Sequence, residues 1–115
     1  MPVRLNGTGS SATEGFVEAF DTTKSQWSYI CDNSFDVFDA HVICTMLGHT
    51  TAIEAIANSA RFYGPASSDS FFTLDNLDCD GSETSVFDCE LSSEITEHCD
   101  ASKIAGIKCA KSKIQ

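Results

Sequence analysis

Two residue types in this chain of 115 residues are placed to do chemistry, cysteines and carboxylates. The six cysteines, Cys31, Cys44, Cys79, Cys89, Cys99 and Cys109, have 12, 34, 9, 9 and 9 residues between successive members. None forms the closely spaced pair that a zinc finger or ribbon uses, so thiolate metal binding is disfavoured. An even number of cysteines in a small acidic domain favours three disulfides and an oxidising compartment, with the pairing left open by count alone. Carboxylates are as unevenly placed. Asp32, Asp36 and Asp39 fall in the stretch from Cys31 to His49. Between Phe62 and Ser102 stand ten acids, Asp69, Asp75, Asp78, Asp80, Glu83, Asp88, Glu90, Glu94, Glu97 and Asp100, and no Lys or Arg. The next thirteen residues hold Lys103, Lys108, Lys111 and Lys113 and no acid. Such a distribution reads either as a solvated acidic face beside a basic tail or as a set of carboxylates placed for a cation.

Other chemistries find no support. His41, His49 and His98 stand near no nucleophile motif, and with the cysteines oxidised no catalytic triad or dyad is expected. There is no glycine-rich phosphate loop and no paired-carboxylate enzyme signature. A net charge of −10 argues against nucleic acid and against attraction to anionic membranes. No stretch approaches the ~20 apolar residues of a membrane span, so direct membrane insertion is not expected. Met1 and Pro2 read as a start or linker rather than a signal peptide, since Val3-Arg4 already opens a strand-like segment.

The elements that must position these residues follow from spacing. Asp36 reads as a helix N-cap and Asp39 as its capping-box partner, with Phe35 and Ala40 at the positions of a hydrophobic staple. Ala40, Ile43, Cys44 and Leu47 then make one apolar face, and Gly48 stops the helix. Val3 to Leu5 reads as a short strand. Gly15 to Phe20 and Gln26 to Cys31 read as an antiparallel hairpin around the turn Asp21–Lys24. Thr51 to Ala60 reads as a short helix or turn, from Ile53, Ile56, Ala57 and Ala60. Ser67 to Ser70 is a loop and Phe71 to Leu74 a strand. Thr84 to Cys89 is one helical turn with Val86 and Phe87 inward, Leu91 to Asp100 an acidic loop, and Ile104 to Cys109 a closing strand. Asn6-Gly7-Thr8 is a glycosylation sequon, a weak signal by itself.

VRLNG, EGFVEAF, QWSYICD, FDVFDAHVICTMLG, Phe62-Tyr63-Gly64-Pro65, LDNLDC, CDGSETSVFDC, HCD and IAGIKC occur in an order, and with a spacing of cysteines, that resembles the scavenger receptor cysteine-rich (SRCR) domain. The likeness covers Val3 to Cys109, leaving residues 110–115 as a polar tail. Cysteines that some members carry near Thr13 and at His49 are both missing, as in the six-cysteine subgroup. The resemblance implies an α+β, disulfide-rich domain in which a curved antiparallel sheet cradles one main helix and a short second helix. It also implies the bridges Cys31–Cys99, Cys44–Cys109 and Cys79–Cys89. It further implies calcium sites, the first from Asp32, Asn33 and Glu83 and the second from Asp36, Asp39 and Ser82. Asn33 stands where an Asp is usual and Ser82 where an Asn is usual, so the expected affinity is moderate to weak. The segment from Gly15 to Trp27 resembles a family stretch implicated in bacterial recognition, but Phe16 stands at its Arg position. Val17 and Trp27 are expected in the core, and whether Arg4, Lys24 and Arg61 converge is open.

The function so implied is a non-catalytic, extracellular recognition module of the scavenger type. It would bind a polyanionic, microbial or protein ligand with help from calcium. The alternative is a protein–protein interaction or structural module within a larger receptor, protease or oxidase.

Overall fold

The computed structural model describes residues 3–22, 24–64, 72–92, 99–100 and 102–110. The expected loop at 67–70, Phe71, His98, most of the acidic loop from 91 to 100 and the tail beyond 110 lie outside the described residues.

A curled sheet forms around β2 (Glu14–Asp21), which pairs antiparallel with β1 (Val3–Asn6), β3 (Gln26–Ile30) and β7 (Gly106–Cys109). Eight residues give β2 the length to hold three partners, and Val17 and Ala19 on it are fully buried. The sheet is not wholly antiparallel. β3 runs parallel to β5 (Phe72–Asp78), and a parallel pair needs a crossover. The segment between them supplies it, as α1 (Val37–Met46), β4 (Ala52–Ile56) and the short α2 (Ala60–Tyr63). β6 (Glu90–Ser92) pairs with β5.

Asp36 caps α1 by accepting from the Phe38 and Asp39 amides, while the Asp39 carboxylate accepts from the Asp36 amide, completing the capping box. Ala40, Ile43 and Cys44 are buried as their spacing requires, and Val42 is buried too, because the helix is enclosed by β4, β5 and β7. Burial of each branched side chain contributes about 1.5–3 kcal/mol. Leu47 is only half-buried.

Residues 52–56 form a strand, not the helix or turn their spacing suggests. β4 pairs with β7 through Ala52, Glu54, Ala55 and Ile56, and leaves Ile53 60% exposed. Backbone pairing at an open sheet edge outweighed a weak 3.6-residue pattern. The second helix comes later, at 60–63. One 3₁₀ turn spans Val86–Asp88, with Val86 buried and Phe87 half-buried.

The disulfides join Cys31 to Cys99, Cys44 to Cys109 and Cys79 to Cys89. The second ties α1 to β7, so helix and sheet are held covalently as well as by packing. A second apolar cluster gathers Phe16, Tyr29, Tyr63 and Phe72. The Phe16 ring meets Tyr29 and Tyr63 edge-on at 5.8 and 6.2 Å. Gly7 lies against this cluster at φ 113, where a Cβ would come within 2.7 Å of Tyr63. Only glycine fits there.

Candidate functional site

Asp36 and Asp39 stand at the capped start of α1, and Ser82 lies in the loop closed by the Cys79–Cys89 bridge. Asp39 is fully buried, and both its oxygens are used: Oδ2 accepts from the Asp36 amide at 2.7 Å and Oδ1 from the Cys79 amide at 2.8 Å. Its carboxylate therefore joins the helix start to the Cys79–Cys89 loop. Burial pushes its pKa up to about 6, although the two backbone hydrogen bonds favour the charged form. Ser82 belongs to the loop, where its amide and hydroxyl donate to Asp80 Oδ1. Those bonds hold the exposed Asp80 carboxyl below its ordinary pKa.

Asp32, Asn33 and Glu83 each have hydrogen-bond partners of their own. The Asp32 side chain is only 5% exposed; its Oδ2 accepts from the Asn58 amide at 2.7 Å and its Oδ1 lies 3.5 Å from Lys103 Nζ. Asn33 turns its amide nitrogen to the buried Asp75, donating to Oδ1 at 3.1 Å. Glu83 sits by the Cys79–Cys89 bridge, where its carboxylate accepts from the Asp80 and Gly81 amides.

Calcium takes six to eight oxygens around one point. Among the described residues, no group of three His, Cys, Asp or Glu ligand atoms within 4.8 Å includes Asp32, Asp36 or Asp39. The two such groups that do occur, Cys31–Asp75–Cys99 and Cys79–Glu83–Cys89, each depend on sulfurs already joined in a disulfide. Each expected set contains only two residues of these types, Asp32 and Glu83 in the first and Asp36 and Asp39 in the second, with Asn33 and Ser82 as the neutral members.

The fold brings other residues together. Val37 and Phe38 on the first turn of α1 are 45% and 54% exposed, off the buried face of the helix. With His41, Thr51, Asp80, Gly81 and Ser82 they line an open cavity of about 410 Å³. Gly81, at φ 99, lets the loop lie close to Phe38; a Cβ there would stand 3.3 Å from the ring. On the far side of Asp80 a second cavity, of about 360 Å³, is lined by Asp78, Cys79, Asp80, Glu83, Asp88 and Glu90. The described salt bridges, Arg4–Glu18, Lys103–Asp32 and Lys108–Glu14, all lie elsewhere. Among the described residues these five carboxylates thus have no ion-pair partner.

The hairpin from Gly15 to Trp27 offers less. Phe16 and Val17 are buried, Glu18 is held by Arg4 at 2.6 Å, and Arg4 stacks over Trp27 at 4.1 Å from the ring centre. The Asn6 side-chain nitrogen donates to Glu18 at 3.3 Å. Spacing along the chain assigns no site role to Phe38, Asp75 or Lys103. For Phe38 a signal was present, a large apolar residue off the helix's apolar face. For Asp75 and Lys103 none was, since their partners are 42 and 71 positions away.

Residues 7–110 match the profile of the "Scavenger receptor cysteine-rich domain". Galectin-3-binding protein of Rattus norvegicus is 36% identical over 102 residues, 89% of this chain and 17% of that protein. Lysyl oxidase homolog 2 of the same species is 35% identical over 109 residues, 93% of this chain and 13% of that protein. The chain thus spans less than a fifth of these curated relatives. Among solved structures, the third SRCR domain of murine neurotrypsin superposes with a TM-score of 0.78 at 32% identity, covering 94% of each chain. The SRCR domain of mouse MARCO, in a dimeric form, gives 0.70 at 33% identity, covering 84% of this chain and 86% of that one. By profile, by disulfide-linked fold and by sequence identity, this chain belongs to the scavenger receptor cysteine-rich domain family.

Proposed function

We propose that this domain is a non-catalytic extracellular recognition module that binds a basic protein partner through the face formed by the start of α1 and the loop from Asp78 to Glu90. The observation that carries the reading is the exposed Val37–Phe38 pair beside five carboxylates that lack a described cationic partner. Three disulfides support an oxidising, extracellular setting. The family's occurrence in a protein named for binding galectin-3 supports an interaction role of this general kind. A net charge of −10 steers cationic partners in and repels polyanions. Phe38 supplies an apolar anchor beside the charged rim, the arrangement in which few side chains carry most of an interface's energy.

The test uses the immobilised domain with two probes, a lysine-rich peptide carrying one aromatic residue and dextran sulfate. The peptide is expected to bind, to weaken steeply as salt rises from about 0.05 to about 0.5 M, and to be indifferent to a chelator. Phe38→Ser is expected to weaken it about 10-fold. Binding of dextran sulfate in calcium, with none of the peptide, would replace this reading with calcium-assisted polyanion recognition.

A further inference from the structure

The SRCR resemblance implies calcium at Asp32, and the structure puts something else there. We infer that Lys103 is a built-in substitute for a divalent cation at Asp32, so that this copy of the domain needs no calcium to hold or present that edge.

Two carboxylates, Asp32 and Asp75, are each met by groups of the protein itself. The Asp32 carboxylate, nearly closed off from solvent, has the Lys103 ammonium 3.5 Å from one oxygen and the Asn58 amide 2.7 Å from the other. A buried carboxylate with a positive charge and a hydrogen-bond donor has its ionised form satisfied without metal. Asp75 lies beside the Cys31–Cys99 bridge, and it is met by the amide nitrogens of Asn33 and of the Asn76 backbone at 3.1 and 2.8 Å. Asn33 is therefore not merely a weakened ligand. It donates, where an aspartate would set a second negative charge against Asp75.

Lys103 is also placed by more than its own side chain. Its amide donates to the Asp100 carbonyl at 2.8 Å, and Ser102 donates to the Asp100 carboxylate, so Lys103 and Ser102 are both tied to Asp100. The Asp32 amide donates to the Lys103 carbonyl at 2.8 Å. Main chain and ammonium thus grip Asp32 together. Through Asn58 the same carboxylate reaches the turn between β4 and α2, so it joins three segments without a metal. A divalent ion entering here meets a fixed positive charge and competes with a contact already made to each oxygen.

The test is thermal melting of the 115-residue chain in about 1 mM calcium and in chelator, a concentration at the upper end for extracellular calcium modules. The wild type is expected to melt at the same temperature in both. Lys103→Glu places two carboxylates together; it is expected to melt lower than wild type in chelator and to regain about 4 °C or more in calcium, with calcium heat visible by titration calorimetry. Lys103→Gln removes the charge without adding one, and is expected to show a smaller calcium shift of the same sign. It keeps the inference testable if Lys103→Glu does not fold. A calcium shift in the wild type that Asp32→Asn abolishes would overturn the inference, as would a Lys103→Gln no more responsive to calcium than wild type.

Discussion

Replacing Asp39 by Asn should change how the stability of this domain depends on pH. Asp39 is fully buried at the start of α1, and burial lifts its pKa from 3.8 to about 6, with the Asp36 carboxylate adding to the rise and the Asp36 and Cys79 amides opposing it. Between about pH 4 and pH 6 the folded protein holds a proton that the unfolded chain has released. Stability from this group therefore rises as pH falls through 6, and holding Asp39 ionised at neutral pH costs the fold about 3 kcal/mol, from about two pKa units at about 1.4 kcal/mol each. Asn cannot titrate. It keeps one acceptor for the two amides and turns a donor toward the other, a loss of about 1–3 kcal/mol that is independent of pH. Wild-type stability minus Asp39→Asn stability should thus grow by about 2 kcal/mol between pH 7 and pH 4, since carboxylates remote from Asp39 cancel in the difference. Urea unfolding of both proteins at the two pH values, with disulfides intact, measures this. A carbon-detected titration should place the Asp39 carboxyl near 6. Parallel stability curves, or an Asp39 midpoint below 4, would refute the reasoning.

Ser28 is 1% exposed and its hydroxyl lacks a hydrogen-bond partner among the described residues, so Ser28→Ala should leave the fold intact and stabilise it by about 1 kcal/mol in chemical denaturation. The Cys44–Cys109 bridge closes 65 positions and Cys79–Cys89 closes 10, so in the chain-entropy view paired Cys→Ala replacement should cost about 4 kcal/mol for the first and about 3 kcal/mol for the second. Guanidinium midpoints of the two double variants would test that ranking, and the reverse order would show that the short bridge acts mainly through the Asp39–Cys79 contact beside it.

Local features of this protein were legible from residue order. The capping box at Asp36 and Asp39, the buried Ala40–Ile43–Cys44 face and the hairpin leading to Cys31 depend on neighbours within a few positions, and all are present in the structure. The strand at 52–56 was not legible, because its pairing with β7 is made about fifty positions away and its own residues favour a helix.

The sequence alone determined the family, the acidic balance and the capped helix that carries Cys44. Only the tertiary structure decided what each carboxylate does. Asp32, Asn33 and Glu83 resemble one ligand set along the chain, yet folding gives Asp32 to Lys103 and Asn58, Asn33 to Asp75, and Glu83 to its own loop. The physical reason is that a buried carboxylate must be met by donors or charge, and which group lies within bonding distance is a property of three-dimensional packing rather than of spacing along the chain.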